Sequence, residues 1–338
     1  MSLGPISTKF AKINGSGYLQ MAVAFVFPGQ GSQTVGMGKA LAASFVPARA
    51  VFDEVDEALG SSLGAKLSTI IFEGPIETLT LTENAQPALM AVSLATMRVL
   101  EAEAGLDLKR EAQFVAGHSL GEYSALAASG AFSLADAARL LRTRGQAMQK
   151  AVPVGVGAMA ALLGLEFDAA SAVAKEAAQG EVCEAANDNG AGQVVVSGNK
   201  AAVERAVEIA KAKGAKRAML LPVSAPFHCA LMKPAAEVMA DALANVSVKR
   251  PAVPVVANVL AKPVTEPAEI VRALVAQVTG TVRWRETVAF MAGAGVQTFY
   301  EVGAGKVLSG LIKRIADGAK ASAIGSPEDV AAFKAGRA

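Results

Sequence analysis

The chain has 338 residues, 52% of them hydrophobic, and a formal net charge of +2. That length suits one large domain, alone or with a smaller companion, and the near-neutral balance gives no reason to expect nucleic acid or an anionic membrane as partner. Two cysteines, Cys183 and Cys229, fit a reducing cytoplasmic setting without a disulfide framework, and no apolar run approaches the roughly 18 residues of a membrane-spanning helix.

Residues 1–20, ending G-S-G-Y-L-Q, are polar and Gly/Ser-rich and read as a disordered leader or an expression remnant, with Met21 as the natural start. Short apolar runs then alternate with long Ala/Leu-rich periodic stretches. Val23–Phe27, Gln113–Ala116, Val253–Ala257 and Thr298–Val302 read as buried strands; Pro87–Ala104 and Leu134–Lys150 read as helices. This alternation predicts a parallel sheet covered by helices. Between Ala158 and Ser224 the order changes to strand, helix, strand, turn (N-D-N-G-A-G), strand, helix, strand, which is the ferredoxin-like arrangement. The prediction is an α/β protein with a hydrolase-like core of mostly parallel sheet. Its large domain has two segments, 21–153 and 225–320, around a ferredoxin-like insert at 154–224, and 321–338 form a C-terminal tail. The cleft where the two parts meet is the default ligand site.

At residue 117 the chain reads G-H-S-L-G-E-Y, a G-x-S-x-G between a predicted strand and a predicted helix, Leu120–Ser129, with Gly130 placed to end it. This is the setting of a nucleophile elbow. A strained turn lifts the Ser119 hydroxyl above the sheet, glycines allow close approach, and the helix N-terminus offers N–H groups to an oxyanion. The competing reading is a serine that only caps the helix. A nucleophilic serine needs a base, and the chain has two histidines. His118 adjoins the serine and leaves the turn in another direction, so it reads as structural. His228, in S-A-P-F-H-C-A-L-M-K-P, follows the insert's last strand back to the cleft and is the candidate base; Cys229 beside it reads as packing. No acid stands out as a third member. A Ser–His dyad with the imidazole held by a neutral oxygen is expected, and Gln277 in Q-V-T-G-T-V-R-W is the candidate acceptor.

Ser133 and Asp136 form a capping signature for the helix that follows. On that helix Leu134, Ala137, Leu140, Leu141 and Met148 share one stripe, Arg139 and Arg142 point to solvent, and Arg144 falls in the middle of the stripe. An inward guanidinium is costly unless paired, so Arg144 meets either a buried Asp or Glu or the carboxylate of a substrate. The loop F-P-G-Q-G-S-Q-T-V-G-M-G-K lacks triphosphate-loop spacing, and neither the glycines from Gly155 nor those near Gly303 suit a nucleotide. That first loop is either an ordinary turn or a source of oxyanion donors, with Gln30 projecting from it. Lys211, Lys213, Lys216 and Arg217 cluster at the end of an insert helix, which reads as a solvated face.

The segments F-V-F-P-G-Q-G-S-Q, Q-P-A-L, G-H-S-L-G-E-Y, R-G-x-x-M, F-H-C-A-L-M and E-V-G-A-G, in that order, resemble the malonyl-CoA:acyl carrier protein transacylases of bacterial fatty-acid synthesis. They also resemble the acyltransferase domains of polyketide synthases. The resemblance implies malonyl transfer from malonyl-CoA to the phosphopantetheine thiol of acyl carrier protein through a seryl ester, with no cofactor, and an acidic carrier that the cluster from Lys211 to Arg217 would dock; a monomer is expected. It implies Ser119 as nucleophile, His228 as base and then acid, and Gln30 with the Leu120 N–H as oxyanion hole. Arg144 would bind the malonyl carboxylate, Gln277 would orient His228 through an oxygen, and Phe227 would favour malonyl over methylmalonyl. The alternatives are a serine hydrolase or thioesterase of the same fold, or an acyltransferase of polyketide assembly.

Overall fold

The computed structural model describes residues 22–60, 64–223 and 225–337; the expected leader and start at Met21, and Ser224, lie outside the described residues. Among the described residues ten strands form two sheets. Strands β1 (Ala22–Phe27), β2 (Ala112–Gly117), β7 (Val255–Ala257), β8 (Lys262–Val264), β9 (Val296–Val302) and β10 (Lys320–Ile324) make the larger one, in the order β10-β9-β1-β2-β7-β8. All its pairings are parallel except the β7–β8 hairpin.

Strand β1 shows why this sheet sits in the middle of the molecule. Successive side chains alternate faces. Phe25 and Phe27 join the core under the helices Val46–Leu59, Thr82–Ala104 and Leu134–Ala151, while Ala24 and Val26 join the core under Trp284–Gly293 and Val307–Ile315. Both faces are covered, which explains the unbroken apolar run. Phe27 is in register with Gly117, and the His118 N–H donates to Phe27 O at 3.0 Å. The loop carrying Gln30 and the elbow carrying Ser119 therefore leave neighbouring strands at the same carboxyl edge, where open α/β sheets place their ligands.

The smaller sheet contains β3 (Gly157–Leu163), β4 (Cys183–Asp188), β5 (Gln193–Asn199) and β6 (Arg217–Leu220), antiparallel, in the order β4-β5-β3-β6. With the helices Phe167–Ala178 and Lys200–Ala212 this is the ferredoxin-like arrangement. Val194 and Val196 face those helices; Met159, Ala186 and Val195 face the main core. A strap from the large domain also pairs with the edge of β4. Val282 N–H donates to Ala186 O, the Asp188 N–H donates to Val282 O, both at 2.9 Å, and Arg285 Nε donates to Asp188 Oδ2 at 2.8 Å.

Three expectations are corrected. The segment 321–338 is not a tail: K-A-S-A-I is an edge strand parallel to β9, followed by the helix Pro327–Ala335 with a Ser326/Asp329 capping box. Pro87 does not open its helix, which starts at Thr82. Proline cannot donate to the carbonyl four residues back, and that carbonyl, Glu83 O, instead accepts from Arg142 Nη1 at 3.0 Å. Arg142 itself is therefore buried, at 8% exposure, rather than solvent-facing, because this helix is covered on more than one side; Arg139 is exposed and bonded to Asp136.

Candidate active site

The elbow is built from sterics. A Cβ on Gly117 would lie 2.0 Å from the Gly121 carbonyl carbon, and one on Gly121 would lie 2.3 Å from Phe27 O. Only glycine lets strand, turn and helix approach this closely. Ser119 between them has φ 53° and ψ −110°, a conformation an L residue holds only when its surroundings enforce it. The surroundings are polar. The Ser119 N–H donates to Asn258 Oδ1 at 2.7 Å, and Ser119 O accepts from Gln277 Nε2 at 3.0 Å. The serine side chain makes no capping bond to the helix Leu120–Ala128; it meets His228 instead.

Ser119 Oγ and His228 Nε2 are 2.8 Å apart. His228, 4% exposed and also at positive φ (59°), sets its Nδ1 2.8 Å from the main-chain oxygen of Gln277. A carbonyl only accepts, so Nδ1 carries the proton and Nε2 is left to accept from the hydroxyl. Burial, and then the charge of Arg144, push the imidazole down to about 3, which keeps it neutral at neutral pH. The partner of the imidazole is thus a neutral oxygen on Gln277, but a main-chain one. The Gln277 side chain is used elsewhere.

Arg144 is 1% exposed. Its Nη1 donates to Gln86 Oε1 at 2.7 Å, and its Nη2 donates to Gln277 Oε1 at 2.8 Å and reaches Ser119 Oγ at 3.2 Å. Among the described residues it forms no salt bridge with an aspartate or glutamate. The guanidinium also lies over the Tyr123 ring, 5.7 Å from its centroid. Gln30 is tied to it by a relay. Thr82 Oγ1 donates to Gln30 Oε1 at 2.8 Å and accepts from Gln86 Nε2 at 2.9 Å, the amide whose oxygen holds Arg144. Leu120 is the first residue of its helix, so its N–H has no carbonyl of that helix to bond. Phe227, 8% exposed, packs into the main core next to His228.

The structure thus brings Ser119, His228, Arg144, Gln277, Gln30 and Leu120 to one sheet edge. The insert's basic residues are not part of this group; Lys211 and Lys213 pair with Glu208 and Glu176. His118 is half-buried, with Nε2 2.9 Å from Asn189 Oδ1. Cys229 is buried, and its thiol lies 3.2 Å from Pro226 O. Sequence reasoning missed Asn258, Gln86, Thr82 and Glu122. The carboxylate of Glu122 lies beneath the elbow, bonded to the Asn258 N–H and Gln277 Nε2. Two of these residues stood inside segments already singled out, Gln86 in Q-P-A-L and Glu122 in G-H-S-L-G-E-Y.

Two clefts flank the group where large domain and insert meet. One, of about 560 Å³, runs from Phe167 and β4 to His228 and Thr279–Thr281. The other, of about 410 Å³, lies between Gln30, Ile76, Leu81 and Val223. Among the described residues no cluster of three or more His, Cys, Asp or Glu could hold a metal, and no helix is long and apolar enough to cross a membrane.

A serine hydroxyl against a neutral base, with a buried guanidinium beside it, suits transfer of an anionic acyl group, and known proteins share the arrangement's frame. The malonyl CoA-acyl carrier protein transacylase of Escherichia coli K12 is 50% identical over 309 residues, covering 91% of this chain and 97% of that protein. The acyl-carrier-protein-S-malonyltransferase of Bartonella henselae superposes with a TM-score of 0.89 at 57% identity, over 93% of this chain and 98% of that one. A malonyl-transacylase solved in complex with its type II polyketide acyl-carrier protein has a TM-score of 0.89 at 43% identity, over 93% and 99% of the two chains. The acyl transferase domain matches residues 24–331, and the chain belongs to that family.

Proposed function

We infer that the protein transfers a malonyl group from malonyl-CoA to the phosphopantetheine thiol of acyl carrier protein, supplying extender units for fatty-acid synthesis. The family match and the transacylase relatives support this function, and a related structure holds a carrier protein. The observation that carries the malonyl assignment is Arg144: a fully buried guanidinium, 3.2 Å from Ser119 Oγ, with no acidic residue in direct contact among the described residues. A site for neutral acyl groups has no use for such a cation, since burying it costs several kcal/mol or so. A carboxylate one methylene from the reacting carbonyl supplies an anion that can meet the guanidinium directly.

In the proposed mechanism Ser119 Oγ attacks the thioester carbonyl while its proton passes to His228 Nε2. The tetrahedral oxyanion is met by the N–H of Leu120 at the helix N-terminus and by a donor of Gln30. The C–S bond breaks, the imidazolium protonates the departing sulfur, and CoA leaves as its thiol. The malonyl group is then an ester on Ser119. In the second half the carrier's thiol gives its proton to His228 and attacks the ester, and the proton returns to Oγ as the C–O bond breaks. These steps balance without a metal or redox group. Phe227, beside the base, would limit the room for a branched acyl group. The buried, unpaired cysteines support a cytoplasmic setting.

Mass spectrometry of the protein mixed with malonyl-CoA tests this reading. One added malonyl group on the peptide containing Ser119, removed by carrier protein faster than by water, is expected. Acylation elsewhere, or loss to water at an equal rate, would overturn it in favour of a hydrolase.

A further inference from the structure

The mechanism above leaves Glu122 without a task. It is 2% exposed, in the first turn of the elbow helix, and its Oε2 accepts from the Asn258 N–H at 3.0 Å and Gln277 Nε2 at 2.8 Å. The other end of that same amide, Gln277 Oε1, accepts from Arg144 Nη2 at 2.8 Å. One neutral amide therefore stands between a buried carboxylate and a buried guanidinium, oriented so that each end meets the charge it prefers. If the amide turned over, its nitrogen would face the arginine's donors and its oxygen the carboxylate.

A buried cation needs compensation, and no acid contacts Arg144 directly among the described residues. Glu122 supplies it across the amide. The groups facing Glu122 from the elements around it are otherwise uncharged: Asn258 after β7, Gln277 from the helix Pro267–Thr279, and the neighbouring Tyr123, whose hydroxyl burial pushes far up. Burial, and then the charge of Arg144, push His228 down to about 3, and burial pushes the half-buried His118 down as well.

We propose that Glu122 is a positioning and specificity-setting residue: it is the resident counter-charge of Arg144, and an incoming malonyl carboxylate must compete with it for the same guanidinium. The proposal rests on the malonyl reading of the site. With the acyl group bound, two anions share one cation, and the buried one relieves the conflict by taking a proton from solvent. Burial already pushes Glu122 up to about 7, against the pull of its two hydrogen bonds and of Arg144, so little further shift is needed. An acetyl group brings no charge and asks for no proton. The empty site stays balanced, yet the malonyl ester is not held so tightly that transfer onward stalls.

The sign follows from Glu122 being ionised above its folded pKa. Malonyl affinity should fall as pH rises. In the full-length protein, the ratio of KM for malonyl-CoA to KM for acetyl-CoA is expected to rise roughly three- to tenfold between about pH 6 and 8. Taking the ratio cancels the titration of the shared CoA phosphates. Glu122→Gln keeps the size and an accepting oxygen but removes the charge, so its ratio should stay flat. A ratio that is flat in the wild type, or that climbs equally in the variant, overturns the proposal. A second measurement does not need the Glu122 variant to fold. Ser119→Ala protein is titrated by calorimetry with malonyl-CoA and with acetyl-CoA at about pH 7.5, in buffers of different ionisation enthalpy. Malonyl-CoA should take up a larger fraction of a proton, and equal uptake overturns the idea. If malonyl-CoA leaves no ester on Ser119 of the wild type, the transacylase reading itself has failed; if the ester forms and the ratio stays flat, only the role of Glu122 has.

Discussion

On one side of Ser119 the imidazole of His228 is held by a main-chain carbonyl, Gln277 O at 2.8 Å. On the other, the guanidinium of Arg144 is held by two side-chain amides, Gln86 Oε1 at 2.7 Å and Gln277 Oε1 at 2.8 Å. The first support belongs to the fold, since no side-chain substitution deletes a carbonyl from the helix Pro267–Thr279. The second belongs to individual residues and can be edited one at a time. The proton-handling half of the site is therefore tied to the architecture, while the half that chooses the acyl group is open to change. Backbone strain follows the same division. Ser119 and His228, which exchange the proton in the proposed mechanism, both sit at positive φ, at a cost of about 1–3 kcal/mol each. Arg144 is an ordinary residue inside a long helix.

Removing the imidazole breaks the comparison most severely. His228→Ala should lower malonyl and acetyl transfer alike by about 10²- to 10⁴-fold, the usual worth of a positioned base, measured as acyl transfer to carrier protein. Unequal losses for the two acyl groups would mean that the imidazole also takes part in acyl selection. Arg144→Ala addresses the other half. Hydrogen bonds to a charged group are worth about 1.5–3 kcal/mol, so kcat/KM for malonyl-CoA should fall roughly 10- to 100-fold more than for acetyl-CoA. An equal loss for both would remove the carboxylate role.

The same contrast explains what could be read from the sequence. The elbow was legible because its cause is local: the glycines, the strand before and the helix after follow one another between Ala112 and Ala128, and their patterns agree. Arg144 was legible because helical period alone places it among Leu140, Leu141 and Met148. That period assumes one buried face, so it failed for Arg142, whose flank is covered by the helix Thr82–Ala104 and whose guanidinium replaces the bond Pro87 cannot make. β10 was missed because K-A-S-A-I has small side chains and little strand signal; its place is fixed by hydrogen bonding to β9. Glu122, Asn258 and Gln277 meet from positions far apart in the chain, a convergence no local pattern records. For Gln277 the expected oxygen was the right atom type on the right residue, yet periodicity cannot say that the main chain would serve the histidine and the side chain the arginine.

Gln277 is where the two halves touch, and truncating it separates them most finely. Gln277→Ala deletes the amide that holds Arg144 Nη2, Ser119 O and Glu122 Oε2 but keeps the carbonyl that holds His228 Nδ1. Arg144 retains Gln86 as a fixed partner, so the guanidinium is loosened rather than lost. A hydrogen bond to a charged group is worth about 1.5–3 kcal/mol, and only part of that is lost while the substrate carboxylate still meets the guanidinium, so malonyl kcat/KM should fall roughly three- to tenfold relative to acetyl, less than for Arg144→Ala. If the amide instead served the histidine, both acyl groups would suffer alike, as in His228→Ala. Measuring the two rates in this one variant therefore decides which atom of Gln277 each neighbour depends on. A loss confined to malonyl would assign the side chain to the arginine, with the imidazole still resting on the backbone.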